Sequence, residues 1–108
     1  MTSPECCHPQ ALPEGKSVVQ PDKRKLIARL NRIEGQVAGV TRMIEADRYC
    51  VDVLTQVAAI MSALDGVAMQ LLYNHAHGCV ARAMQDGNGD AAIDELMTVV
   101  QKLSGRSL

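Results

Sequence analysis

His75 and Cys79 stand four residues apart. On a helix that spacing puts both side chains on one face, with Cβ atoms about 6 Å apart. An imidazole and a thiolate so placed make a chelating pair for a soft or borderline metal ion. A buried cysteine near a histidine is also a common core arrangement, so the pair alone is ambiguous. Cys50 narrows the choice. It precedes His75 by 25 residues, and 25 steps of about 100° return to within about 20° of the same helix face. On one straight helix the two residues are also roughly 37 Å apart, so a single copy cannot close a site from all three. An antiparallel copy related by a two-fold axis would set Cys50 of one chain against the partner's His75 and Cys79, giving two equal sites per dimer. The plainer alternative is that Cys50 is a small residue at an apolar seam position. Two thiolates and one imidazole form a three-coordinate soft site that suits Cu(I), whereas Zn(II) wants a fourth ligand.

Candidates for a fourth ligand are poor. His77 lies two residues from His75 and points roughly away from it. Cys6, Cys7 and His8 are soft donors in succession on an N-terminal tail. They could join the site or deliver metal to it, but the favoured reading leaves them outside it. Tyr49, beside Cys50, is either a core aromatic or a hydrogen-bonding support to the site. Glu95 is either solvated or orients His75 through its free ring nitrogen. The six methionines are spread along helical stripes and read as core filler.

The elements that must position these residues are helices. All four prolines, at 4, 9, 13 and 21, fall in the first 21 residues, which read as a flexible tail, with one helical domain over residues 22–108. Asp22 can cap a first helix whose apolar positions, Leu26, Leu30, Ile33, Val37, Val40 and Ile44, repeat at spacings of four and three. Beside that stripe run Lys25, Arg29 and Arg32. A second stripe begins near Cys50 and passes through Leu54, Val57, Met61, Leu64, Ala68 and Leu71 to His75. Gly66 and Gly78 weaken this helix by about 1 kcal/mol each relative to Ala, but no proline breaks it. Gly87-Asn88-Gly89 is a turn, and Asp90 can cap a third helix carrying Ile93, Leu96, Met97, Val100 and Leu103, ending at Ser104-Gly105. Three helices of such unequal length leave the middle one with an apolar seam to cover, so a helical oligomer is expected.

Composition agrees and excludes several classes. Of 108 residues 47% are apolar, yet there is no Phe, no Trp and only two Tyr. That balance favours helices over strands and argues against base stacking on single-stranded nucleic acid. The apolar stretches read as too short and too interrupted for a membrane span, and the N-terminus lacks the apolar run of a secretory signal. A cytoplasmic chain with reduced thiols is expected, its four cysteines serving metal, redox or packing roles rather than disulfides. Residues 22–48 carry seven Lys/Arg against four Asp/Glu, while residues 49–108 carry three against six. The first helix therefore presents either an anion-binding face or a merely solvated one. No phosphate loop, nucleophile elbow or catalytic pair is visible, so no enzyme is expected.

The stretch RLNRIEGQVAGVTRMIEADRYCVDVLTQVAAIMSALDGVAMQLLYNHAHGC closely resembles the CsoR family of bacterial metal-sensing repressors, and the resemblance runs from about residue 22 to 103. Its marks are R-L-x-R-I-E-G-Q at 29–36, Y-C-x-D-V-L-T-Q at 49–56, and the spacing of Cys50, His75 and Cys79. The resemblance implies an all-α homotetramer, a dimer of antiparallel four-helix-bundle dimers, that leaves its operator DNA when Cu(I) binds across the dimer. It places Cys50, His75 and Cys79 on the copper-binding positions. Tyr49 and Glu95 fall where copper sensors have a Tyr and a Glu that couple the bound His to DNA release. Arg29, with Lys25 and Arg32 near it, falls on the face implicated in DNA contact. Gly66 departs from the pattern, standing where some copper sensors have a basic residue. Nickel sensors of the family add a histidine at the position of Val18, persulfide sensors put a cysteine at that of His75, and formaldehyde sensors lack the thiol of Cys79. Each comparison points to Cu(I). The alternatives carried forward are a nickel, cobalt or zinc sensor on the same scaffold, a copper-storage or chaperone bundle, and a thiol-based redox sensor. Expected partners are operator DNA and further copies of the chain, with a copper chaperone as another candidate and no membrane.

Overall fold

The computed structural model describes residues 10–12 and 15–105. Two three-residue strands, β1 (Gln10–Leu12) and β2 (Gly15–Ser17), pair antiparallel with Gln10 opposite Ser17. A strand pair this short contributes little by itself, and the fold is all-α. Its helices are α1 (Lys23–Glu45), α2 (Cys50–Gln85) and α3 (Gly89–Ser104). Within α2, a regular stretch Cys50–His75 passes into a π-helical turn, Ala76–Val80, and then into a last α-helical turn, Ala81–Gln85. The chain divides into two compact units, Asp22–Leu72, and Tyr73–Leu108 together with the segment up to Pro21.

In the unit Asp22–Leu72, α1 and the first part of α2 form an antiparallel pair. Leu26 and Ile33 of α1 are buried with Ile60 and Val67 of α2, and Val40 and Ala63 pack against them. The α1 stripe therefore splits. Its Leu26, Ile33 and Val40 half covers α2, while Leu30, Val37 and Ile44 stay exposed, Ile44 at 62%. Asp22 does not cap α1 with its side chain as the sequence suggested. Its carboxylate instead accepts a hydrogen bond from Gln70 Nε2 at 3.1 Å, tying the start of α1 to α2. A local cap lost out to a tertiary partner.

α1 ends in a Schellman motif. The Arg48 N–H donates to the Met43 carbonyl at 2.9 Å and the Asp47 N–H to that of Ile44 at 3.1 Å. The motif needs a left-handed residue, and Asp47 supplies it at φ 56°. Glycine adopts that conformation without a Cβ clash. We expect Asp47→Gly to stabilise the fold by roughly 0.5–1 kcal/mol, read as a higher urea midpoint at unchanged slope.

In the other unit, the turn from α2 to α3 uses the same motif with a glycine. Gly87 has φ 84°, and the Asn88 N–H reaches the Ala83 carbonyl at 2.7 Å. The residue at the N-cap position of α3 is Asn88, not Asp90 as the sequence suggested, because the helix already starts at Gly89. Asp90 sits in the first turn, where a negative charge favours the helix dipole. A side chain at Gly89 would press on Met84, its Cβ 2.8 Å from Met84 Cγ.

One further expectation is corrected. By length and composition α2 is apolar enough to cross a membrane, with little of its most apolar window buried inside the chain. Scattered polar residues hid this in the sequence, because continuity of the helix past Gly66 and Gly78 joins runs that look short when taken separately.

Candidate metal centre

The three soft donors sit at the two ends of the regular stretch of α2. Cys50 is its first residue, exposed, with a free thiol. His75 is its last residue and is half-buried. Cys79 is half-buried in the π-helical turn that follows. A π turn holds one residue more than an α turn, so it shifts the phase of everything beyond it. Across four residues the shift leaves His75 and Cys79 on the same side of the helix.

Cys79 departs from expectation. It is disulfide-bonded in this structure, against the reading that all four cysteines are reduced thiols. A disulfide sulfur carries no thiolate charge, so Cys79 can serve as a metal ligand only after reduction. The compartment argument concerns the redox poise around a protein, whereas pairing follows from which sulfurs the fold brings together. Cys6, Cys7 and His8 lie outside the described residues.

The face of α2 that carries the donors is not the face that packs on α1. Measured around the helix from Cys50, the buried Ile60 and Val67 and the partly buried Ala63 centre roughly 100° away. Leu54, Met61, Leu64 and Leu71 lie along the donor face and are exposed, from 37% to 64%. Among the described residues, the single chain gathers no three of His, Cys, Asp and Glu into a metal-sized group.

Tyr49 is 69% exposed, and its carbonyl accepts the Val53 N–H at 3.2 Å, opening α2. Arg48 and Asp52 flank it in an exposed ion pair of 3.9 Å. Glu95 lies exposed on α3, and among the described residues no hydrogen bond joins it to His75. His77 turns away, as its spacing implied. Its ring packs on that of Tyr73 with centroids 4.3 Å apart.

Lys25, Arg29 and Arg32 are all exposed on α1. Their spacing of four and three lines them up within about 60° of helix arc. Among the described residues none of the three is held in an ion pair, so the row is a free cationic strip beside the packed stripe. A recess of about 430 Å³ opens near the other end of α1, lined by Gln36, Arg42, Met43, Arg48 and Gln56 among others. It contains none of the candidate ligands.

Comparison with known proteins now places the chain. The family described as metal-sensitive transcriptional repressor matches residues 22–102, and the chain belongs to that family. The copper-sensing transcriptional repressor CsoR of Bacillus subtilis is 49% identical over 83 residues, 77% of this chain and 82% of that protein. The copper-sensing transcriptional repressor RicR of Mycobacterium tuberculosis is 48% identical over 77 residues, 69% of this chain and 80% of that one. Among solved structures, the Cu(I)-bound repressor CsoR of Geobacillus thermodenitrificans superposes with a TM-score of 0.76 at 42% identity, covering 90% of this chain and 97% of that one. The nickel-responsive regulator InrS superposes with a TM-score of 0.67 at 40% identity, covering 78% of this chain and 94% of that one.

Proposed function

We propose that the chain is a cytoplasmic Cu(I)-responsive transcriptional repressor, whose metal-free form binds operator DNA and whose metal-bound form leaves it. One observation carries this reading. The donor face of α2 is left uncovered by its own chain, with soft donors at both ends and exposed apolar residues between. A second copy related by a two-fold axis covers that apolar seam and brings Cys50 opposite the partner's His75 and Cys79. The exposed Leu30, Val37 and Ile44 of α1 offer further apolar surface for joining dimers into a tetramer. The apolar character of α2 is then spent on partner helices and not on lipid.

Two thiolates and an imidazole fit a soft monovalent ion once Cys79 is reduced. When bound, Cu(I) supplies soft coordination that ties ligands of two chains together. The cationic row of Lys25, Arg29 and Arg32 contacts DNA phosphates. Metal and DNA compete by favouring different arrangements of the assembly, and the coupling between them is reciprocal.

The test is fluorescence anisotropy of the reduced protein on DNA from upstream of its own coding region. Addition of about one Cu(I) per chain should release the DNA. The structural likeness to a nickel-responsive regulator makes Ni(II) the control that matters, and release by Ni(II) with none by Cu(I) would reverse the metal assignment. Uptake of many Cu(I) per chain without an effect on DNA would favour storage.

Glu95 and Tyr49 are proposed to link the bound imidazole to the DNA-binding state. Glu95→Ala should still bind Cu(I), with a loss within about 10- to 100-fold, yet remain on DNA at saturating metal. Equal release by wild type and variant would show Glu95 to be a solvated bystander.

A further inference from the structure

We propose that the recess near the end of α1 is a binding site for a small organic anion, one that carries a carboxylate or phosphate head and a hydroxyl. Its volume of about 430 Å³ is that of a small-molecule site. Two guanidiniums, of Arg42 and Arg48, and two carboxamides, of Gln36 and Gln56, line it beside the apolar Val40 and Met43. All six belong to the unit Asp22–Leu72, so the α1–α2 pair of one chain builds the recess. None of the candidate metal ligands lines it, and the site stands whatever the metal assignment.

The two arginines are not spent on local structure. Arg42 is in the last turn of α1, where a cation favours the helix dipole, but the carbonyls there already have partners. Those of Arg42, Met43 and Ile44 accept the N–H groups of Ala46, Arg48 and Asp47 at 2.9 to 3.1 Å. The Arg42 guanidinium instead folds back along α1, and a Cβ added at Gly39 would lie 3.8 Å from its Nη2. Among the described residues Arg42 enters no ion pair, and Arg48 meets Asp52 alone, at 3.9 Å with both side chains 55% exposed. Such a contact is weak enough to exchange for a ligand. The planar fork of a guanidinium matches the oxygens of a carboxylate or phosphate. Gln36 sets the demand for a hydroxyl. Its Oε1 is buried and has no hydrogen-bond partner, so it has lost water with nothing in exchange. The terminal torsion of a glutamine is soft, and a turn about it presents the oxygen to a ligand O–H in the recess. Val40 and Met43 supply apolar surface for the carbon skeleton.

The experiment titrates the full-length, reduced protein by calorimetry at low ionic strength with L-malate and with glycerol 3-phosphate. Succinate and propyl phosphate, which lack the hydroxyl, are the comparisons. At least one hydroxy anion should bind saturably at about one per chain, and the tighter of the two names the head group. Its counterpart without the hydroxyl should bind about tenfold more weakly, the worth of one hydrogen bond. Arg42→Ala, at an exposed side chain, should weaken binding by at least about tenfold. Arg42→Lys should fall between, since it keeps the charge without the fork. Gln36→Met, which keeps the size of the side chain, should bring the hydroxy anion down to the level of its counterpart and leave the counterpart unchanged. Lys102→Ala, at an exposed position of α3, removes a charge elsewhere and should change nothing. The absence of saturable binding by either hydroxy anion would overturn the proposal. Equal weakening by Arg42→Ala and Lys102→Ala would overturn it too, because it would show diffuse attraction of counter-ions. Equal affinity with and without the hydroxyl, in wild type and Gln36→Met alike, would overturn the assigned ligand class.

Discussion

Leu64→Lys yields a chain that no longer associates and no longer binds Cu(I) tightly. Leu64 is 44% exposed in the single chain and stands outside the buried group of Leu26, Ile33, Ile60 and Val67. Its substitution therefore leaves the α1–α2 packing intact, and far-UV circular dichroism should stay helical. In a two-fold dimer the same residue is lost twice. Burying a Leu side chain contributes about 1.5–3 kcal/mol, and an unpaired ammonium in its place adds a desolvation cost. The association constant should drop by at least roughly a thousandfold. Copper binding falls with it, because Cys50 loses the partner's His75 and Cys79, and lysine brings no soft donor to replace them. Sedimentation equilibrium gives the mass and a chelator competition gives the affinity. An oligomeric Leu64→Lys protein with normal Cu(I) binding would mean that the donor face is not the interface.

Arg29→Ala loses operator affinity while keeping its fold and its copper. The side chain is exposed, and such changes usually alter stability by less than about 0.5 kcal/mol. If Arg29 meets a phosphate, the slope of log affinity against log salt should shrink by about 0.9 for each phosphate that is no longer neutralised, one in every DNA-bound chain. Cu(I) affinity should persist, since the proposed ligands all belong to α2. Mass is measured first, because an arginine that held a subunit interface would weaken DNA binding by a different route. A tetrameric Arg29→Ala protein with unchanged affinity and salt slope would remove this residue from the DNA face.

Much of the fold was legible because periodicity reports burial. The alternation from Leu26 to Ile44 marked α1, and the absence of proline after Pro21 let α2 run on. Periodicity does not say which molecule does the burying. Leu26, Ile33 and Val40 turn inward while Leu30, Val37 and Ile44, on the same stripe, do not, and nothing in their types distinguishes the halves. Caps were harder. Asp22 and Asp90 are good capping residues, but Asp22 is taken by Gln70, 48 positions away, and Asp90 sits inside a helix that begins one residue earlier. The left-handed Asp47 and the π turn at 76–80 depend on how the helix ends are packed, which a single sequence does not reveal. At the candidate site, residue types and the 25-residue return to one face singled out Cys50, His75 and Cys79. The disulfide at Cys79 was not legible, since it turns on which sulfurs meet in three dimensions.

The most direct test of a copper site shared between two chains is a subunit-mixing titration. Reduced Cys50→Ala and Cys79→Ala proteins are each titrated with Cu(I) against a chelator, then unfolded together, refolded as a mixture and titrated again. In a mixed antiparallel dimer one site pairs the intact Cys50 of the Cys79→Ala chain with His75 and Cys79 of the Cys50→Ala chain, so it is complete, and the other site lacks both cysteines. Each variant alone should bind weakly, and the mixture should regain tight binding at about one Cu(I) per mixed dimer. A mixture that binds no more Cu(I) tightly than either variant alone would contradict the account.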